Sequence, residues 1–222
     1  MEWYPLFNTL RVALIAAAAA LVLGVPAAWL VQRLPRPVRT VLDVILSLPI
    51  ALPPTVTGWL LISLLGAEQP LGQFFHTAFD LQLTLTWWSA VFPAFLAAFP
   101  FLYRTVRRAF SSFDEELADA ARTLGRSNLW AFWRLRLPAC RRGILAGLIL
   151  AFVRAVGEYG ATSMVAGYTH GRTATISTTV YQLWRGGMDD AALPWVLVSL
   201  CLSVLFLAAT GTLDGIERGG RG

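Results

Sequence analysis

The sequence predicts an all-α polytopic membrane protein. It reads as one domain over residues 1–222, with about five membrane-spanning helices and one polar inner loop at about 109–139. Three observations predict this. Of the 222 residues, 56% are hydrophobic and only 14% charged, less charge than a soluble surface needs. Several uncharged runs approach or exceed the roughly 20 residues that cross a bilayer. The basic residues, all of them Arg, gather at the edges of those runs.

In chain order, residues 1–11 form a short lead whose Trp3, Tyr4 and Phe7 suit a membrane interface. Residues 12–30 are the first span. Arg33, Arg36 and Arg39 follow it directly, so it reads as a retained span rather than a cleaved signal. Pro26 is expected to kink it. Residues 44–65 are the second span and contain Pro49, then Leu52-Pro53-Pro54-Thr55-Val56-Thr57-Gly58. Such a break frees backbone carbonyls, which membrane depth tolerates only inside protein or beside a wet cavity. The break either lines a path or is an ordinary proline kink. Residues 66–86 read as a loop, with Glu68, His76 and Asp80. Trp87 and Trp88 open the third span, which runs to Tyr103 and ends at Arg104, Arg107 and Arg108. Residues 143–167 are the fourth span. Gly143 and Gly147 in it have the spacing of close helix approach, and Arg154 and Glu158 lie four apart inside it. Residues 168–190 are an outer segment with a short helix near 173–184, and residues 191–213 are the fifth span.

Arg placement sets the orientation. With the central loop inside, the N-terminus lies outside and the C-terminus inside, and the inner segments hold Arg33, Arg36, Arg39, the Arg-rich 104–142 region, Arg218 and Arg221. The outer loops hold Arg172 and Arg185. Six spans would put the C-terminal Arg residues outside, so five ranks higher.

The polar stretch 114–138 has its own logic. Leu117, Ala118, Ala120, Ala121 and Leu124 recur at helical spacing. Asp114, Glu115, Glu116 and Asp119 occupy the first turns, where the helix dipole favours acids. Gly125 suits a helix end, and Ser127 or Asn128 suits the cap of a second helix carrying Leu129, Trp130, Phe132, Trp133 and Leu135. Pro138 discourages that helix from continuing. The bland alternative is an amphipathic loop between spans.

The spacing favours more. Asp119-Ala120-Ala121, three residues, Gly125, nine residues, Leu135, one residue, Leu137-Pro138 resembles the coupling-loop signature of permease subunits of ABC importers. That signature is Glu-Ala-Ala, three residues, Gly, nine residues, Ile, one residue, Leu-Pro. Asp119 and Leu135 depart from it and keep charge or apolarity. The 52–58 stretch, Gly157-Glu158-Tyr159-Gly160-Ala161 and the Thr-rich stretch near Thr175 look like the molybdate/tungstate branch. Sulfate and thiosulfate permeases share similar elements. The resemblance implies a type I importer transmembrane domain in the cytoplasmic membrane. It implies a homodimer with two ATP-binding subunits and an extracytoplasmic binding protein that delivers the oxyanion. It also implies that the loop, with Glu116, Asp119, Ala120, Ala121, Gly125, Leu135, Leu137 and Pro138, docks on the ATPase.

Pro53, Pro54, Thr55, Thr57, Gly58, Arg154, Glu158, Thr162 and Ser163 are the candidate path or gate residues. Arg154 and Glu158 form either a structural pair or a gate whose pairing changes. The hydroxyls of Thr55, Thr57, Thr162 and Ser163 either meet a passing anion or bond their own helix carbonyls.

Other function classes lack support. Without Lys, a G-x-x-x-x-G-K-[ST] phosphate loop is impossible, so ATP and Mg are expected on a partner chain and no cofactor on this one. No Ser-His-Asp or H-E-x-x-H pattern appears, which disfavours an enzyme. His76 and His170 read as lone solvated loop histidines, and Cys140 and Cys201 suggest neither a disulfide nor a metal site. The basic charge fits membrane topology better than nucleic acid. A channel or secondary transporter acting without ATP would need no docking loop.

Overall fold

The computed structural model describes residues 2–219, with side chains described for residues 2–209. Every regular element among them is helical: α1 (Tyr4–Gln32), α2 (Arg36–Ala51), α3 (Pro54–Leu65), α4 (Pro70–Phe79), α5 (Val91–Ser111), α6 (Glu115–Thr123), α7 (Asn128–Ala131), α8 (Leu137–Ala139), α9 (Arg141–Val156), α10 (Gly160–Val165), α11 (Ile176–Arg185) and α12 (Asp189–Gly219). A 3-10 turn (Trp88–Ala90) precedes α5, and a π-helical turn (Phe132–Arg136) joins α7 to α8.

Helices α1, α5 and α9 form the core. Ala13, Ala16, Ala17, Ala20 and Ala28 give α1 a fully buried stripe of small residues, met by Ala94, Ala98 and Leu102 of α5 and Ala151 and Ala155 of α9. Apolar burial gains little against lipid, so close backbone approach supplies the attraction. The expected Gly143–Gly147 contact is there: a methyl added at Gly143 would lie 2.4 Å from Ala109 Cβ. Pro26 sits inside α1 without ending it.

Several expected boundaries shift. From Tyr4 on, the expected lead is instead the first turns of α1, and its Asn8 and Thr9 are buried. Asn8 Nδ2 donates to the Thr173 and Ala174 carbonyls at 3.0 Å each, and Thr9 Oγ1 accepts from Ile176 N–H at 2.9 Å. They hold the start of α11, whose Thr175 cap closes a reciprocal box with Thr178. Residues 66–86 contain α4 rather than loop alone. Pro70 starts it, where a missing N–H costs nothing, and Asp80 ends it in the left-handed region.

The second and fourth spans are broken. Helix α2 begins already at Arg36 and meets α3 at a bend of 106°. Pro54 forces Pro53 into the extended region, and Pro53 does the same to Leu52. Residues 143–167 split at residues 157–159, so Glu158 lies just past the end of α9, not on one helix face with Arg154. Three helices, Tyr4–Gln32, Trp88–Ser111 and Asp189–Ala209, are each long and apolar enough to cross a membrane, and the α2–α3 pair is a fourth candidate. The remaining expected crossing, the fourth span over α9 and α10, is the 16-residue α9 followed by a break. The side chains of Arg218 and Arg221 lie outside the described residues.

Candidate functional site

The two broken segments pack on each other. A methyl at Gly160 would lie 2.7 Å from Pro54 Cβ, and one at Gly58 would lie 3.0 Å from Ala161 Cα. Glycine at both places lets α3 and α10 touch. Beside this contact is a narrow cleft with room for about one water, lined by Pro49, Leu52, Pro54, Thr57, Pro93, Leu96, Ala97, Arg154, Glu158 and Ala161.

Arg154 and Glu158 pair across this cleft, Nη2 to Oε2 at 3.1 Å, with side chains 33% and 4% exposed. The second carboxylate oxygen of Glu158 accepts from Ala161 N–H at 3.0 Å and caps α10. Glu158 is therefore occupied on both oxygens, while Arg154, with five N–H donors, is the cation on the cleft wall.

The cleft thus collects Pro54, Thr57, Arg154 and Glu158 from the expected path residues, with Gly58 behind them. Thr57 Oγ1 reaches its own Pro53 carbonyl at 3.5 Å, and Ser163 Oγ donates to Gly160 O at 2.9 Å, so both hydroxyls take the helix-bonding alternative. Pro53 and Thr55 are exposed and do not line the cleft, and Thr162 is buried. Pro93, Leu96 and Ala97 of α5 escaped sequence reasoning, because nothing local marks them as facing a break elsewhere in the chain.

The polar loop forms a compact helical hairpin. Asp114 caps α6 by accepting from Glu116 N–H at 2.9 Å. Gly125 has φ +76°, the left-handed turn expected of it. Ser127, rather than Asn128, caps α7, accepting from Trp130 N–H at 3.1 Å. Asn128 instead accepts from Arg122 Nε at 2.8 Å, and Arg122 also pairs with Asp119, so one guanidinium ties the two helices. Pro138 has no N–H to return to the Arg134 carbonyl, and the turn before it is the wide π form.

The α6 helix has two faces. Ala118 and Ala121 are buried against the rest of the chain, whereas Glu116, Leu117, Asp119, Ala120 and Leu124 are exposed. Ala121, expected to face a partner, instead seats α6 on its own chain. Leu135 and Leu137 pack on the core as expected, and Pro138 is exposed. Leu117, Leu124, Leu129 and Trp133 leave large apolar area open on a polar loop, the mark of an interaction surface.

Arg136, between Leu135 and Leu137, is 8% exposed. It pairs with Glu115, donates from Nη1 to Gln32 Oε1 at 3.1 Å and lies 4.8 Å from the Phe113 ring centre. Gln32 in turn donates to the Phe110 carbonyl at 3.3 Å. The guanidinium thus joins the loop to the ends of α1 and α5. Sequence reasoning missed it, because the spacing pattern leaves that position unspecified. Nearby, Arg33 stacks 3.8 Å over Trp29, and partial burial, then the Arg136 and Arg122 charges, lower its pKa.

Two further polar pairs appear. Arg107 meets Asp43 at 2.7 Å, and Tyr103 OH donates to the same oxygen at 2.5 Å, joining α2 to α5. His170, expected to be alone, lies 2.7 Å from Glu2, and His76 is exposed on α4.

Residues 20–221 match the family model described as binding-protein-dependent transport system inner membrane component. The chain is 34% identical over 223 residues to the molybdenum transport system permease protein ModB of Escherichia coli K12, covering 99% of this chain and 97% of that one. It is likewise 34% identical over 206 residues to the sulfate transport system permease protein CysT of Salmonella typhimurium, covering 93% and 74%. Among solved structures, an inward-facing form of the MetNI methionine ABC transporter aligns with TM-score 0.68 at 18% identity, over 97% and 94% of the two chains.

Proposed function

The chain belongs to the binding-protein-dependent transport system inner membrane components, and from that premise we propose that it passes molybdate, or the related tungstate, across the cytoplasmic membrane. It is the multi-pass permease subunit of an ABC importer and not an enzyme; the ATPase is a separate subunit. Two copies of this chain work with two ATP-binding subunits, which carry ATP and Mg, and with an outer binding protein that hands over the anion. The N-terminus lies outside and the C-terminus inside.

The observation that carries the coupling role is the loop: an exposed Leu117–Ala120–Leu124 face on a hairpin whose other face, at Ala118 and Ala121, is buried within the chain, and which Arg136 ties to α1 through Gln32. The exposed face docks on the ATPase. ATP binding draws the docked loops together and opens the path outward, and hydrolysis resets it. The anion passes the cleft at the paired breaks, where Arg154 supplies positive charge held in place by Glu158. Contacts there are few, as passage requires.

A sulfate permease is the second reading, favoured by the likeness to CysT. Reconstituting the chain with its ATPase and binding protein, and measuring ATP-dependent uptake of molybdate, tungstate and sulfate in competition, tests both. Molybdate or tungstate uptake resistant to excess sulfate is expected. Uptake of sulfate alone supports the second reading, and uptake without ATP overturns the importer mechanism. A reporter fused after Arg221 should read as cytoplasmic; an external reading reverses the orientation.

A further inference from the structure

The seam between α2 and α5 holds two clefts. The first is the one at Arg154, walled by Pro49 and Leu52 of α2 and by Pro93, Leu96 and Ala97 of α5. The second, wider and of about 390 Å³, lies further along the same two helices. It is walled by Thr40, Asp43, Val44 and Ser47 of α2 and by Tyr103, Arg104, Arg107 and Arg108 of α5. From Ala97 to Tyr103 is six residues, about 9 Å along a helix. The seam therefore runs from the broken-helix cleft to a basic mouth at the Arg-rich end.

Charge in that mouth is unbalanced. Arg104, Arg107 and Arg108, at i, i+3 and i+4, share one face of α5. Against them stands Asp43, whose carboxylate is already bound by Arg107 and by Tyr103 OH. Arg104 and Arg108 are exposed at the cleft edge, and Ser47 adds a hydroxyl to the facing wall. Salt-bridged Arg107 is fixed, whereas the forks of Arg104 and Arg108 project planar donors that suit tetrahedral oxyanions. Positive charge at an inner membrane edge follows from topology alone. A cleft between two helices, with hydroxyls on one wall and two uncompensated guanidinium groups on the other, is more than topology requires.

We propose that Arg104 and Arg108, with Ser47 across the cleft, form an inner binding site for a tetrahedral oxyanion. Its occupant is either the free dianion leaving the path or the phosphate of an anionic lipid, which present the same oxygens. That the anion is cargo rests on the importer reading above; the existence of the site does not.

The test uses the full chain in nanodiscs of phosphatidylcholine, and in parallel with phosphatidylglycerol, at low ionic strength. Tungstate bound after equilibrium dialysis is counted by elemental mass spectrometry, and retained phosphatidylglycerol by native mass spectrometry. Wild type should bind tungstate in phosphatidylcholine, and Arg104→Gln/Arg108→Gln should weaken it about tenfold, the change that about 1.4 kcal/mol produces. The control Arg141→Gln/Arg142→Gln removes equal charge from the same side and should bind as wild type. Phosphatidylglycerol retention lost in the Arg104/Arg108 variant, with no tungstate bound, supports the site with lipid phosphate as its occupant. Equal binding by wild type and the Arg104/Arg108 variant, equal loss in the control, or no anion bound in either lipid overturns the proposal. Uptake by the assembled importer is scored separately: its failure counts against the importer reading, and the dialysis still decides the site.

Discussion

Glu158→Ala removes two interactions at once. The carboxylate is 4% exposed, 3.1 Å from Arg154 Nη2, and 3.0 Å from the Ala161 N–H that it caps. Stranding one partner of a fully buried pair costs about 3–5 kcal/mol. The Arg154 side chain is 33% exposed, so water takes part of its charge and the lower end, about 3 kcal/mol, is expected. Glu158→Gln keeps an acceptor for the cap and loses the ion pair, so about half that loss is expected. Arg154→Leu should be the worst single change, because the stranded carboxylate is the more buried member. The Arg154→Leu/Glu158→Gln double variant should lose less than the sum of its singles, with a coupling of about 1–3 kcal/mol. The assay is unfolding of the purified chain in mixed micelles by a denaturing detergent, followed by fluorescence of its 9 tryptophans. Additivity within about 0.5 kcal/mol would refute the pairing.

Gly125→Val places a β-branched residue at φ +76° with nothing within 4 Å, so the cost is backbone strain of about 1–2 kcal/mol, spent on turning the loop. Normal membrane insertion with lost oxyanion uptake is expected, and wild-type uptake at normal expression would contradict a coupling role. Gly160→Ala puts a methyl 2.7 Å from Pro54 Cβ, where neither group can swing aside, and should cost about 1–3 kcal/mol in the same unfolding titration. Unchanged stability would mean that the two breaks do not pack as described. Cys140 is buried with Sγ 3.2 Å from the Ala109 carbonyl, and burial, opposed by the Arg136 charge, raises its pKa. Its maleimide labelling should be far slower in the folded chain than after denaturation; fast labelling of folded protein would place it at the surface.

What sequence reasoning reached followed from local chemistry. Gly125 needs only its place after a helical run, while residue type narrows the next cap to Ser127 or Asn128 and leaves the structure to choose Ser127. The double proline at 53–54 announces a break within the second span, but not its size, since hydropathy carries no direction and cannot report a turn of 106°. The fourth segment failed for a related reason. Its apolar count hid the stop at residues 157–159, where Glu158 leaves the helix to cap the next one. Helix α4 was read as loop because scattered polar residues outweighed the Pro70 start and the Phe74–Phe75–Phe79 cluster. The cleft itself joins positions 49–57, 93–97 and 154–161, and the buried Asn8 bonds residues 165 and 166 positions away; no spacing pattern reports such distances.

The Arg136 contacts bear on how the loop can be inherited or engineered. Residues 114–138 contain the whole spaced pattern, and in sequence they look like a cassette. The guanidinium in their midst takes one partner, Glu115, from within and another, Gln32, from the last turn of α1. A graft of the loop alone into another permease carries a buried cation into a host that must already offer an acceptor at the matching helix end. The structural unit is discontinuous, loop plus Gln32, and in chimeras that ignore that single amide the buried Arg136 keeps Glu115 but loses the acceptor that ties the loop to α1.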